Sequence, residues 1–373
     1  MAELVSNGGG GTTDGLPSED EMIAKAELIS GDLPVDGEIA LVTVVRDHWF
    51  FMSSWLEHHR TLGVDKFLVL DDGSSDSFRQ MLSIEPDVAV YRLPFRFGEK
   101  ISWIGADGVQ RSGSAGEVYK ELFGNSVSPS AVNFVLDIDE FLVLHPDFAG
   151  VKELLEHFQG SPATIFPGQM IDMLPLSWPP PAFGERVPTF SDLLKAYPLF
   201  FPKAAWTRSG SEIVWRWRVN GITELFERYR IYSGKGWKYF VRSLVWWALP
   251  KRWAFPRSDI NKLPILTEQN SSNRRGPHYS KEPPNAPVVM AVLHFTMTEN
   301  LEEKITFALS KQGGYGISQS RYRSLGRLVK RIRSLPASEC GLRGNFERYE
   351  GPNSLLKSGI FDNPFLLELK KHS

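Results

Sequence analysis

Residues 133–144 read NFVLDIDEFLVL: Asp137 and Asp139 stand one residue apart, Glu140 follows at once, and apolar side chains press in from both directions. Ionised carboxylates are costly in apolar surroundings unless a cation meets them. Where a strand breaks, positions i and i+2 can turn both carboxylates toward one point. Paired hard oxygen ligands suit Mg²⁺ or Mn²⁺, ions that keep coordination positions open for a substrate's phosphate oxygens. The plain alternative is a capped turn whose aspartates accept backbone N–H bonds. A second acidic pair, Asp71 and Asp72, closes the apolar run of KFLVLDDGSSD (66–76), again at a Gly-Ser turn. VVMAVLHF (288–295) is a third apolar run, with His294 near its end. A neutral imidazole there could ligate Mn²⁺ or donate to a diphosphate oxygen.

The elements that must position these groups follow from the apolar pattern. EIALVTVV (38–45) is a short β-branched run of buried-strand type, and KFLVLD and DVAVYRL (87–93) are further strands. A helical stretch covers about residues 50–62 and is ended by Gly63. Ser114 and Glu117 have capping-box spacing, so EVYKELF begins a second helix. AVNFVLDIDEFLVL then supplies two strands around the acidic turn. This alternation predicts an α/β fold with a mostly parallel sheet flanked by helices. Such sheets bind ligands beyond the carboxyl ends of their strands, where both acidic clusters lie. SWPPPAFGERVP (177–188) must be loop, and no internal repeat is present.

Composition narrows the classes. With 373 residues and 42% hydrophobic content the chain has ample core for one large domain or two ordinary ones. A net charge of −2 gives no global case for a nucleic-acid partner. Cys340 is the only cysteine, which excludes an intrachain disulfide framework and a cysteine-built zinc site, and fits a reducing compartment. No secretory signal pattern opens the sequence, and no window approaches the apolar length of a membrane span. The expectation is a cytoplasmic protein. Residues 1–36, rich in Gly, Ser, Thr and acids, read as a flexible leader; 37–330 as the globular domain; and 331–373 as a helical C-terminal tail.

Taken together, ALVTVVRDHWFFMSSWLEHHRTLGVDKFLVLDDGSSD and FVLDIDEFLVL resemble glycosyltransferase family 2-like enzymes of the GT-A fold, closest to the branch with an Asp-x-Asp-Glu-Phe turn and a helix bearing Leu-Glu and paired histidines. The similarity covers roughly residues 38–145 and returns weakly at AVLHFTMTENLEEKI (291–305). The resemblance implies metal-dependent transfer of a sugar from a nucleotide-sugar donor, UDP-linked, to a saccharide or glycan acceptor. It implies that Asp72, or else Asp71, holds the uracil or ribose. Asp137 and Asp139 would hold Mn²⁺ or Mg²⁺ on the donor diphosphate, with His294 completing the metal or phosphate site. Relatives carry Lys-Asn-Glu after the first strand, whereas this chain has Arg46-Asp47-His48. Arg46 could still serve a phosphate and Asp47 a base or ribose. The relatives' acceptor loop is replaced by FPGQMIDML, so the acceptor cannot be inferred. An apolar strand ending in Asp-x-Asp also opens haloacid-dehalogenase-type phosphatases, whose first Asp is the nucleophile. Those carry Thr or Val where this chain has Phe141, and their motif lies earlier in the domain.

An inverting transfer needs a carboxylate base near the acceptor hydroxyl. Asp172, after ATIFPGQMI, is the candidate, with Glu224 and Glu227 as rivals; a core or salt-bridged role is the alternative for each. His58 and His59 read as packing or capping residues, and His278 as a loop histidine or a phosphate contact. From Lys235 to Arg257 there are six Lys or Arg and no acid, with Trp237, Trp246, Trp247 and Trp253 interleaved. Such a stretch could stack sugars, make peripheral contact with a membrane interface, or pack as an ordinary cationic helix.

Overall fold

The computed structural model describes residues 15–126, 132–161, 163–204, 221–232, 288–310, 319–335 and 344–361, with shorter runs at 206–209, 212–215, 240–241, 244–245, 247, 261–266, 274–275, 279–280 and 286. Nine strands build one mixed sheet: β1 (Glu27–Ser30), β2 (Ile39–Val45), β3 (Lys66–Asp71), β4 (Val88–Arg92), β5 (Val132–Val135), β6 (Glu140–Val143), β7 (Ile165–Asp172), β8 (Asn261–Leu266) and β9 (Met290–His294). Their spatial order is β1-β4-β3-β2-β5-β8-β7-β9-β6. The core is parallel (β4, β3, β2 and β5, then β7 with β9), whereas β1, β8 and β6 run antiparallel to their neighbours.

This topology determines where chemistry can occur. The chain winds outward from β2 through β3 to β4, then returns to place β5 on the other side of β2. In sheets of this kind ligands bind at such a reversal, here beyond the carboxyl ends of β2 and β5. The same edge carries the carboxyl ends of β3, β7 and β9. Because β8 and β6 are antiparallel, it also carries their amino ends, and with them Lys262 and Glu140.

The buried strands are continuous apolar runs because both faces are covered: every residue of β2 and β7 is buried. Helix α2 (Trp49–Thr61) packs on one face and ends where Gly63 takes φ +86°. Trp55 Nε1 donates to the Glu140 carbonyl at 2.9 Å, His58 Nε2 lies 2.7 Å from the Leu142 carbonyl, and Leu142 N–H donates to His59 Nε2 at 3.3 Å. The paired histidines therefore rivet α2 to the strand that follows the acidic turn. Burial drives both imidazoles toward the neutral form, His58 to about 4. Phe141 completes the clamp, stacked on Phe190 at 4.9 Å and edge-on to Phe295 at 5.3 Å.

Helix α4 (Ala115–Ser126) covers the opposite face. It starts where the capping spacing places it, but the Ser114 hydroxyl donates to the Phe97 carbonyl, and Glu117 pairs with Lys120 at 2.9 Å. The remaining helices that bear on the site are α7 (Gly221–Arg228), α8 (Leu301–Leu309) and α9 (Gln319–Arg333), which share a second apolar cluster.

Two boundaries differ from the sequence expectation. Residues 15–36 are not a leader: α1 (Glu19–Ala24) carries a full capping box between Ser18 and Glu21, buries Met22, and is followed by β1 on the sheet edge. Residues 1–14 lie outside the described set. Near the other end, Tyr349, Leu355, Ile360 and Phe361 are buried in the main core cluster, so the described part of 331–373 is integral to the domain rather than a tail. Among the described residues no helix is long and apolar enough to cross a membrane.

Candidate functional site

The acidic turn meets its cations inside the protein. Glu140 Oε2 accepts the Asp137 N–H at 3.0 Å, while the Glu140 N–H returns to the Asp137 carbonyl at 3.0 Å. Lys262 Nζ sits 2.7 Å from Glu140 Oε1 and 3.4 Å from Asp137 Oδ2, and Lys120 Nζ sits 2.7 Å from Asp137 Oδ1. Both lysine side chains are buried, 0% and 1% exposed. Burial opposes the charge on each ammonium, but the carboxylates outweigh it: Asp137 and Glu117 for Lys120, Glu140 and Asp137 for Lys262. Asp137 was expected to share one metal ion with Asp139. Its oxygens instead face two buried ammonium groups, which it shares with Glu117 and Glu140.

Asp139 points elsewhere. Its Oδ1 lies 3.9 Å from His294 Nε2 and its Oδ2 lies 3.5 Å from Lys304 Nζ on α8. Burial works to raise the Asp139 pKa, but Lys304 and His294 outweigh it and hold the carboxyl below its usual range. The Phe295 N–H donates to the Asp139 carbonyl at 2.9 Å, which couples the acidic turn to the end of β9. His294 Nδ1 is 2.8 Å from Asp172 Oδ1, and the Thr296 hydroxyl is 2.8 Å from Nε2. Asp172 Oδ2 accepts the Ile222 N–H at 3.0 Å, near the start of α7. Asp172 is 1% exposed with both oxygens engaged, so it is not placed to take a proton from an acceptor. It positions His294 instead, as carboxylates do behind working histidines.

The second acidic pair divides its roles. Asp71 is fully buried; its Oδ1 accepts the Ser74 N–H at 2.8 Å and its Oδ2 meets Arg79 at 3.1 Å. That makes it a turn-former, correcting its expected part in nucleotide binding. Asp72, which follows β3, is 4% exposed. Its Oδ1 accepts the Phe97 N–H at 2.9 Å, and Arg96 donates to its carbonyl. Burial pushes its carboxyl up to about 6, with the Phe97 N–H, Arg96 and Arg46 pulling back. Gly73 follows at φ +78°, a backbone conformation that glycine adopts without strain, with the Arg96 guanidinium lying across it. Asp47, at φ +49°, ties its carboxylate to the Ser75 N–H at 2.8 Å, which braces this turn against the end of β2. Arg46 stacks 5.2 Å over Phe307 of α8. One helix thus reaches Arg46 through Phe307 and Asp139 through Lys304.

Three contributors escaped the sequence reading. Lys304 is one. His48, half-buried before α2, is another; burial first and Lys304 second lower its pKa to about 4, against the pull of Asp139 and Asp137. Tyr322 on α9 is the third, raised chiefly by burial and also by both acids. No spacing in the sequence marks any of them. Glu224 accepts from Asn345 at 3.2 Å and Glu227 is half-buried on the same helix. His278, Trp237, Trp246 and Trp253 lie outside the described residues.

Among the described residues no group of three or more His, Cys, Asp or Glu is arranged to hold a metal ion. The donor set that fits one is the pair Asp139 and His294: a hard carboxylate oxygen and an imidazole whose other nitrogen is held by Asp172. Two protein ligands suffice for Mg²⁺ or Mn²⁺ when phosphate oxygens and water complete the shell. Compared with known proteins, the chain matches no protein-family model and no curated protein.

Proposed function

We propose that this protein is a GT-A-type glycosyltransferase that moves a sugar from a UDP-linked donor to a saccharide or glycan acceptor. The observation that carries the reading is the approach of Asp139 to His294 at 3.9 Å, on the sheet edge where Asp72 follows β3. In this reading Asp72 accepts a hydrogen bond from the base or ribose. Arg46 and Lys304 face the diphosphate, and Asp137 stays within reach of the ribose with its side chain 38% exposed. Asp139 and His294 would hold Mn²⁺ or Mg²⁺, which as a Lewis acid would take up charge building on the leaving nucleoside diphosphate. The phosphatase alternative needs a free Asp137 nucleophile; two lysines on its oxygens favour the glycosyltransferase reading instead.

A thermal-shift screen of nucleoside diphosphates with and without Mn²⁺, followed by release of UDP from UDP-sugars, tests the proposal. If no nucleoside diphosphate raises the melting temperature, the reading is wrong. Stoichiometric phosphorylation of Asp137 by a phosphate ester would point to the phosphatase instead.

Two expected results follow from single residues. Asp72→Ala should weaken uridine binding by about 1–3 kcal/mol in calorimetry, since the site loses an acceptor that the ligand satisfied. Uridine is the probe because it lacks the phosphates, which titrate themselves. Binding should also fall as pH drops through about 6, where the Asp72 carboxylate protonates. The same raised pKa means that the folded protein takes up a proton before the unfolded chain does. Asp72 therefore opposes folding above about pH 6, and that penalty is relieved as pH falls toward the unfolded value. The second result concerns Asp172→Asn, which keeps shape but loses charge behind His294. It should weaken Mn²⁺-dependent UDP binding by about 10–100-fold. Metal-free uridine binding should be unchanged; a parallel loss would mean a general packing defect.

A further inference from the structure

Five large apolar side chains stand exposed within eight consecutive positions: Phe240 at 62%, Val241 at 41%, Leu244 at 58%, Val245 at 36% and Trp247 at 76%. One other group, Leu28, Ile29, Leu33 and Val35, is set among the acids Glu27, Asp32 and Asp36, and the remaining exposed large apolar residues of the described set stand singly. Phe240, Val241, Leu244 and Val245 have helical backbone. Phe240, Leu244 and Trp247 recur at i, i+4 and i+7, the spacing of one helical stripe. The sequence around them is cationic. In sequence, Lys235, Lys238, Arg242, Lys251, Arg252 and Arg257 fall in this stretch, all six outside the described residues, and no acid occurs between Glu227 and Asp259. The chain as a whole carries −2, so this concentration of positive charge is local.

We infer that the segment around Phe240–Trp247 docks on an anionic lipid surface, with the apolar stripe entering the headgroup boundary and the flanking Lys and Arg meeting lipid phosphates. The two features together select this occupant. A nucleic acid would satisfy the cations but gives no return for presenting Val and Leu to its phosphates. A glycan stacks on aromatic faces and leaves aliphatic side chains unused. A second copy of the chain would bring like charge against like charge across a two-fold contact. A bilayer interface takes all of it: aliphatic and aromatic side chains enter, tryptophan sits at headgroup level, and each basic residue gains from the negative surface potential. The inference stands apart from the proposed transferase activity, and its test needs no nucleotide.

The test is sedimentation of the full chain with vesicles made of equal parts phosphatidylglycerol and phosphatidylcholine, against vesicles of phosphatidylcholine alone. Binding to the anionic vesicles should be at least about tenfold tighter, given what a few basic residues contribute at such a surface. A triple variant, Phe240→Ser, Leu244→Ser and Trp247→Ser, should lose at least about tenfold in binding while its circular dichroism is unchanged, because it keeps every cation and loses only the inserting stripe. A charge variant, Lys251→Gln with Arg252→Gln, should bind more weakly and respond less to added salt. The inference is overturned if the parent chain stays in the supernatant, or if the triple variant binds as well as the parent. It is equally overturned if the parent is a dimer in gel filtration that the triple variant dissociates without any vesicle binding. Tighter binding to duplex or single-stranded nucleic acid than to the anionic vesicles would also overturn it.

Discussion

Lys262→Met should destabilise the protein by about 3–5 kcal/mol, the usual result of removing one partner from a buried ion pair. The lysine side chain is 1% exposed, that of Glu140 is 2%, and their charged atoms are 2.7 Å apart. Methionine fills nearly the same space without the charge, so packing survives while Glu140 is left as an uncompensated buried carboxylate. Asp137 loses one of its two cations in the same step. Urea unfolding at neutral pH followed by circular dichroism measures the loss. A second variant, Lys262→Met with Glu140→Gln, should recover most of it, because a neutral amide can still accept the Asp137 N–H without carrying a charge. pH supplies an independent sign. Burial already pushes the Glu140 carboxyl above its usual range, and without Lys262 it would rise further. The folded variant then binds a proton that the unfolded chain does not, so its deficit should shrink as pH is lowered from neutrality and grow as pH is raised. A loss under about 1 kcal/mol, the scale of an exposed pair, would show that this lysine is not what holds the turn.

Asp139→Asn should leave the fold intact and abolish Mn²⁺-dependent binding of UDP, with an affinity loss of about 100-fold or more. The substitution changes charge and little volume. Asp139 is the carboxylate that Lys304 approaches at 3.5 Å and His294 at 3.9 Å. Neither is packed against it as closely as Lys120 is against Asp137, which leaves its charge free to serve an incoming ion. Asp137→Asn separates the two aspartates. It should reduce folding stability more than Asp139→Asn does, since it strips Lys120 and Lys262 of a shared partner. Calorimetry of UDP with and without Mn²⁺, set beside melting temperatures for both variants, gives the comparison. Equal Mn²⁺-dependent affinity for Asp139→Asn and the parent chain would remove the metal from this residue.

The sequence by itself determined the parallel core and the edge at which the acidic pairs and His294 gather. Strands buried on both faces must be nearly continuous apolar runs, and IALVTVV and the FLVL of KFLVLD are such runs. A charged group can follow such a run only at its end, which is where Asp72, Asp137, Asp172 and His294 occur. The helix behind them was legible too, because thirteen residues give its period room to repeat and Gly63 marks its stop. The amino-terminal elements were not legible. The six residues of α1 are too few to establish a period, and β1 is an edge strand with hardly any buried face.

What only the tertiary structure decided is which charge answers which. Lys262 meets Asp137 across 125 residues and Asp172 meets His294 across 122. β8 inserts antiparallel between β5 and β7 and brings that lysine to the acidic edge. Local pattern cannot register such pairings. A lysine is ordinarily a surface residue, and its burial makes sense only once a carboxylate from elsewhere in the chain lies within about 3 Å. For that reason two aspartates two residues apart, alike in sequence, have separate partners in the fold: Asp137 meets the buried Lys120 and Lys262, and Asp139 meets Lys304 and His294.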